Sequence, residues 1–374
     1  MFTNHWTLFL FIGFCFIVAV QLFYYWFFFA RLVFYKKKDT EELNHTNPVS
    51  IIICARDESQ NLLKNLPSIL AQNYATTHEL IVVNDNSFDD TGYILTEFQK
   101  TYKHINVITL NEQAKFVQGK KFPLSIGIKA AKYELLVLTD ADCTPATNEW
   151  LQSMQAQFAP HIDIVLGYGA YKKRKGLLNK WIRFETFHTA LQYLSYSLAK
   201  VPYMGVGRNL AYKKTAFTNA KGFTSHNHIP SGDDDLFVNT AATSTNCTIN
   251  INPNSFTYST PKSTWSSWIK QKNRHFSTSK YYKPVHKLLL GLYSVAQFLM
   301  YPLFVLALVF CPWQIVLIIF GVRIVSLAVV WLGAMHKLKE HDLKPWFLLF
   351  DIALFFYMLT FAPSLFKKTK TGWN

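Results

Sequence analysis

Charge, and acidic charge above all, is what this sequence has least of. Asp, Glu, Lys and Arg make up 16% of the 374 residues, low for a soluble protein. Acids number 23 against 38 Lys and Arg, a formal net charge of +15. Cysteine is also sparse: Cys15, Cys54, Cys143, Cys247 and Cys311 stand apart, with no CxxC pair and no zinc spacing. That excludes a zinc ribbon and speaks against a disulfide framework, in keeping with a reducing cytosol. The tripeptides at Asn44 and Asn246 match the glycosylation pattern, which means nothing for a segment that stays in the cytosol. No familiar nucleic-acid reader motif occurs, so the basic balance points to anionic lipid headgroups and no nucleic-acid partner is expected.

Apolar residues fill the gap. They reach 50% of the chain, with 16% aromatic and 32 phenylalanines, and they concentrate at the two ends. Leu8 to Ala30 is broken only by Gln21 and is long enough to span a bilayer. No small-residue cleavage site follows, so it reads as an anchor. Arg31 and Lys36-Lys37-Lys38 come directly after it, and no Lys or Arg precedes it. The positive-inside rule then puts the amino terminus outside and the next domain in the cytoplasm.

Three further candidate spans are Leu288–Phe310, Trp313–Met335 and Trp346–Phe366, with Pro302 and Pro312 placed to kink or break the first. Starting from inside, three crossings would leave Lys367, Lys368 and Lys370 outside, against the charge rule. Either one segment does not cross or the tail is an exception. Arg323 and Asp351 fall mid-segment, where charges pair with one another or line a functional cavity. The expected organisation is an anchor (1–35), a polar domain (48–260), an interfacial segment (261–287) and a carboxyl-terminal membrane region (288–366).

In the polar domain, short apolar runs at Val49–Ala55, Glu79–Asn84, Ile105–Leu110 and Leu135–Thr139 alternate with helical patterns at Glu58–Leu70, Thr91–Lys103 and Lys121–Lys132. That alternation predicts a mostly parallel α/β sheet covered on both faces. From Gly176 to Tyr203, apolar residues recur at helical spacing behind the basic run Lys172–Lys175. This fits an amphipathic helix at the membrane interface or an ordinary helix packed on the sheet. Trp265 and Trp268 among Lys270, Lys272, Arg274, Lys280, Lys283 and Lys287 suit headgroup depth.

The chemistry-bearing residues sit where strands end. The run before Asp140 and Asp142 stops in two carboxylates separated by one alanine, and two acids beyond a strand's carboxyl end suit a hard divalent cation. Ala55 ends the first strand and Asp57 follows it, where a helix start favours phosphate or Asp57 serves as a cap. Asp85 ends the second strand and is placed for a ribose or base; Asp89 and Asp90 read as caps of the next helix. Lys120 beside Gly119 is either a phosphate contact or ordinary surface. Asp233, Asp234 and Asp235 repel one another, so one of them suits a general base, unless the loop is simply solvated.

In this order the motifs resemble the family-2 nucleotide-sugar glycosyltransferases with a GT-A fold, over about Pro48 to Tyr282. The resemblance implies that Ala55, Asp57, Asp85, Lys120 and Asp140 serve the nucleotide sugar. Asp140 and Asp142 would be the DxD pair that binds Mg2+ or Mn2+, and the triple acid would carry the catalytic base, best assigned to Asp234. Gln271 and Arg274 match the QxxRW motif, with His275 in place of tryptophan, which puts processivity in doubt. Asn209, in Gly207-Arg208-Asn209-Leu210, matches an acceptor-side turn.

The implied function is inverting, metal-dependent transfer from a UDP-sugar to a membrane lipid or lipid-linked acceptor. The implied setting is a multi-pass membrane protein of the bacterial inner membrane with a cytoplasmic catalytic domain, similar to ceramide glucosyltransferase-like and polymer-synthase members. The competing expectations are a processive polysaccharide synthase and an inactive membrane scaffold.

Overall fold

The structure is a computed structural model that describes residues 5–36, 47–110, 119–276 and 278–361. Lys37, Lys38, the Asn44 tripeptide, the end of the last candidate span and the tail lysines lie outside the described residues.

An apolar helix, α1 (His5–Phe23), runs through a π-helical turn (Tyr24–Phe29) into α2 (Ala30–Val33). The polar domain alternates β1 (Val49–Ala55), α3 (Ser59–Leu70), β2 (His78–Asp85), α4 (Thr91–Thr101), β3 (Ile105–Leu110), α5 (Lys121–Ala130) and β4 (Leu135–Leu138). It continues with β5 (Cys143–Pro145), α6 (Trp150–Gln155), β6 (Ile164–Gly167), β7 (Gly169–Tyr171) and the long α7 (Leu177–Leu198). Then come β8 (Leu210–Lys213), α8 (Lys214–Asn219), α9 (Asp235–Ala241), β9 (Cys247–Asn250) and β10 (Thr257–Ser259). The chain closes with α10 (Trp265–Phe276), α11 (Pro284–Phe310), α12 (Trp313–Lys337) and α13 (Phe347–Phe361).

Seven strands form one sheet in the order β3-β2-β1-β4-β8-β6-β9. All neighbours pair in parallel except β8, which is antiparallel to both β4 and β6. The strand interiors are Val, Ile and Leu buried on both faces, which is why they read as unbroken apolar runs. The register decides where the site falls. Ile52 pairs with Leu138 in parallel, so the residues after β1 and after β4 emerge side by side. Because β8 runs the other way, its first residue, Leu210, also pairs with Leu138. That brings Arg208 and Asn209 to the same edge. A small sheet, β5-β10-β7, adds a wall beside Cys143.

Helix α7 is the packed alternative rather than a helix at the lipid interface. Most of it is buried, because it lies between the sheet and the apolar helices. Tyr193 Oη donates to Gly167 O (2.7 Å) on the sheet side. Tyr196 stacks on Phe28 at 4.4 Å and Phe184 on Phe350 at 4.2 Å on the other. Arg183, almost fully buried, pairs with Glu340 and with Asp342 (2.7 Å), in the connection between α12 and α13. Asn246 is engaged within its turn, accepting from Thr243 N at 2.7 Å.

Among the described residues, four helical segments are long and apolar enough to cross a membrane: His5–Val33, Pro284–Phe310, Trp313–Lys337 and His341–Phe361. At their centre Arg323 and Asp351 pair, both fully buried. Gln21 Oε1 accepts from Arg323 Nε (2.6 Å), and Gln297 and Tyr301 donate to the Asp351 carboxylate at 2.9 and 2.6 Å. One polar network therefore ties together α1, α11, α12 and α13. Asp351→Asn strands a buried guanidinium and is expected to cost about 3–5 kcal/mol, read as a drop in the melting temperature of the detergent-purified protein. Arg323→Met/Asp351→Leu, which removes both charges, recovers part of that loss.

Candidate active site

A cavity of about 1220 Å³ opens at the carboxyl edge of β1 and β4. Its walls bring together Asp57, Lys120, Asp140, Asp142, Asp233, Asp234, Asp235, Gln271, Arg274 and His275. Three residues singled out from sequence are elsewhere. Ala55 is core, packed in the layer under the sheet. Asp85 is buried at the end of β2 and off the cavity wall. Asn209 is fully buried and bonded on every side: it accepts from Trp150 Nε1 (3.1 Å) and donates to Tyr168 O (3.0 Å) and Ser255 O (2.6 Å). A Cβ on Gly167 would come within 2.5 Å of the Asn209 amide, so that glycine is part of the same lock. Asn209 thus joins the sheet to the 250s turn, and its neighbour Arg208 faces the cavity.

The loops after β1 and β2 hold each other. Asp57 has a left-handed φ of 54°, a conformation that short polar residues tolerate. Its Oδ1 accepts from Phe88 N (2.7 Å) and its N–H donates to Ser87 Oγ (3.0 Å). The cap of α3 comes from Asp89, which accepts from Ser59 N (3.1 Å) and Thr91 N (3.0 Å), so one carboxylate serves both helix starts. Burial would raise the Asp89 carboxyl, but the bonds from Thr91 and Ser59 hold it at about 2.

Asp140, Asp142 and Cys143 present ligand atoms within 4.8 Å of one another. Lys120 pairs with Asp140, and its Nζ lies 3.9 Å from Asp233. Burial would raise Asp140, yet Lys120 brings it below its usual value; Asp142 is pushed up, by burial and then by Asp140. Two close carboxylates, one carrying the cost of repulsion, with oxygens open to the cavity, fit a hard divalent cation. Glu58 lines the same corner and is likewise raised, by burial first, with Asp142 and Asp140 adding to it. Arg208, missed in the sequence because only its neighbour looked functional, has its guanidinium 4.3 Å over the Tyr171 ring and draws both acids down.

The triple acid splits into three roles. Asp235 is buried and accepts from Thr278 and from Tyr282 Oη (2.7 Å), so it fastens α9 to the segment after α10. Asp233 faces Lys120. Asp234 accepts from Gly207 N and Asp235 N, each at 2.7 Å, which fixes its carboxylate at the cavity wall. Burial, then Asp233 and Asp235, push it up to about 7. A carboxyl poised near neutrality is suited to taking a proton.

A glycine and a lysine secure these loops. Gly119, at φ +91°, lies so close to the Pro230 carbonyl that an added Cβ would sit 2.1 Å from its oxygen. Lys121, buried and lowered to about 8 by that burial, donates to His226 O (2.6 Å) and Ile229 O (2.9 Å). Lys121→Met removes two buried charge-assisted bonds and is expected to destabilise by about 2–4 kcal/mol. A lower melting temperature and weaker donor binding, both measured on the purified variant, are the readouts.

On α10, Gln271 donates to Tyr171 Oη (3.4 Å) and Lys272 pairs with Glu185 of α7. Desolvation by the surrounding wall, then Lys272 and Arg274, lower the His275 imidazole well below its ordinary value, while the side chain as a whole stays exposed.

The family model described as "Glycosyl transferase family 2" matches residues 50–220. Glycosyltransferase AglE of Haloferax volcanii is 30% identical over 105 residues, 28% of this chain and 33% of that one. Probable glycosyltransferase YdaM of Bacillus subtilis is 23% identical over 251 residues, 64% and 57% of the two chains. A poly-beta-1,6-N-acetyl-D-glucosamine synthase of Staphylococcus epidermidis is 34% identical over 99 residues, 25% and 21%. The chain thus spans from about a fifth to just over half of the length of these curated relatives. Among solved structures, the mannosyltransferase PcManGT from Pyrobaculum calidifontis, in complex with GDP-Man and Mn2+, superposes with a TM-score of 0.56 at 16% identity. The match covers 94% of this chain and 98% of that one, a likeness of fold. The chain contains a family-2 glycosyltransferase domain, and Lys120, Asp140, Asp142 and Arg208 lie within it.

Proposed function

We propose that this chain is an inverting, metal-dependent glycosyltransferase that moves a sugar from a UDP-sugar to a membrane lipid or lipid-linked acceptor, working from the cytoplasmic face of a bacterial inner membrane. The observation that carries this reading is the continuity of one cavity. From Asp142 it runs past Asp234 and Arg274, along Glu185, His188 and Gln192 of α7, to Ser294 and Phe298 of α11 and Tyr357 and Met358 of α13. One end is lined by charges suited to a nucleoside diphosphate, the other by apolar side chains of membrane helices. An amphiphile fits that gradient.

In this reading Asp140 and Asp142 would hold Mg2+ or Mn2+, which supplies positive charge for a diphosphate leaving group. The acceptor hydroxyl gives its proton to the Asp234 carboxylate while its oxygen bonds to the anomeric carbon. The bond from that carbon to the β-phosphate oxygen breaks, and UDP leaves with the electron pair. A single displacement inverts the centre. Arg208 and Arg274 face the charge that develops on the diphosphate. Only ionised Asp234 takes a proton, so turnover is expected to rise with pH and reach half its plateau at about 7; a kcat profile across neutral pH checks this.

A processive synthase is the second reading, supported by the alignment with the poly-beta-1,6-N-acetyl-D-glucosamine synthase. His275, where the resemblance expects tryptophan, favours the lipid acceptor. Comparing lipids by mass spectrometry from cells with and without the chain is the test. A lipid heavier by one sugar supports transfer to lipid. An unchanged lipid profile with accumulated polymer supports the synthase, and GDP-mannose, named with the similar mannosyltransferase, serves as the control donor.

A further inference from the structure

Helix α13 has the composition of a membrane span, but its contacts do not lead across. Its start is tied to the polar domain: Lys180 lies 3.8 Å over the Trp346 ring, and Arg183 bonds Asp342 just before it. One face of the helix then stays on polar-domain side chains for its whole described length. Phe350 stacks on Phe184 of α7, and Tyr357 meets Trp181 at 5.6 Å and Trp268 at 6.0 Å. At the last turn, Phe361 packs on Trp268 (5.8 Å) and Phe276 (5.3 Å). Trp268 and Phe276 flank Gln271 and Arg274 on α10. The part of the helix that a crossing would carry farthest from its start, among the described residues, is therefore at the wall of the catalytic cavity.

A true crossing has a different signature here. Helices α11 and α12 meet at Cys311, whose thiol donates to Thr7 O (3.5 Å), while Trp6 meets Phe310 at 5.0 Å. That turn sits at the start of α1, away from the polar domain.

We infer that α13 is a re-entrant helix: it dips from the face that bears the catalytic domain, floors the cavity with Leu354, Tyr357 and Phe361, and returns to the same face. Its opposite side, with Leu349, Ile352, Phe356 and Leu359 exposed, lies against the acyl chains of that leaflet. A return at this point is also what the positive-inside rule asks of a sequence that carries Lys367, Lys368 and Lys370 after it. Asp351, near the start of the helix, reaches Arg323 without the rest of α13 having to cross.

The test is side-specific labelling in sealed vesicles with a membrane-impermeant maleimide, on three single-cysteine additions to the full chain. Thr101→Cys, exposed on α4, marks the catalytic side. Gln314→Cys, exposed at the turn between α11 and α12, marks the other. Asn374→Cys reports the chain end. Labelling of 374 together with 101, and opposite to 314, is expected. Labelling of 374 together with 314 would overturn the inference. Neither result depends on the donor, the acceptor or any turnover.

Discussion

Asp234→Asn is expected to lower kcat by about 10²–10⁴-fold, the range that a positioned general base contributes, with donor binding near that of the parent. The reason is in the geometry. Asp234 is the acid of the triple whose oxygens are fixed by backbone N–H groups and which faces the cavity, whereas Asp235 is used up by Thr278 and Tyr282. Asparagine keeps the shape but places an amide nitrogen against one of those N–H donors, so some local displacement accompanies the change. The pH profile separates the two effects. The parent is expected to lose activity as pH falls through about 7, and the variant's residual activity to follow that limb no longer. A variant that retains the limb would move the base elsewhere.

Asp142→Ala is expected to remove divalent-metal binding and to lower turnover by about 10²–10³-fold, similar to the loss of one strong electrostatic stabiliser of a leaving group. Manganese binding, followed by electron paramagnetic resonance, reads the first effect without any substrate. A second consequence has the opposite sign. Asp142 is held above its ordinary value by burial and by Asp140, so deleting it relieves repulsion in the metal-free protein. The melting temperature without metal should therefore hold or rise, while the stabilisation that added Mn2+ gives the parent is lost. A variant that binds Mn2+ as the parent does would remove Asp142 from the metal site.

Much of this was legible in the sequence because the chain is built of strong contrasts. Strands buried on both faces leave unbroken apolar runs, so β1 and β3 fall where the runs predict them and β2 and β4 lie within a residue of it. An acid that ends such a run stands out, and Asp140 and Asp142 are visible for that reason, whereas Asp234 stands out as one of three clustered acids. The small β5-β10-β7 sheet was not visible, since three-residue strands have no periodicity to detect.

From sequence Asn209 matches an acceptor-side turn, because a polar residue in a turn looks the same whether it bonds a ligand or a backbone carbonyl. Only the fold reveals that Trp150, Tyr168 and Ser255 take all its bonds. Arg208 had the reverse problem. Nothing local marks it, and it reaches Asp140 and Asp142 only because β8 runs antiparallel to β4. Helix α13 illustrates a third limit: apolar composition sets that a segment meets lipid, while crossing or returning is set by contacts with Trp268 and Phe276.

Sugar transfer to an acceptor held in the membrane is read out with purified protein in lipid vesicles. The vesicles receive radiolabelled UDP-sugar and Mn2+ and are then extracted into organic solvent. The expected result is label in the organic phase, on a lipid carrying one added sugar, and at least about 10²-fold less of it with Asp234→Asn. Label confined to a long water-soluble polymer, or no product from any nucleotide sugar, would contradict it.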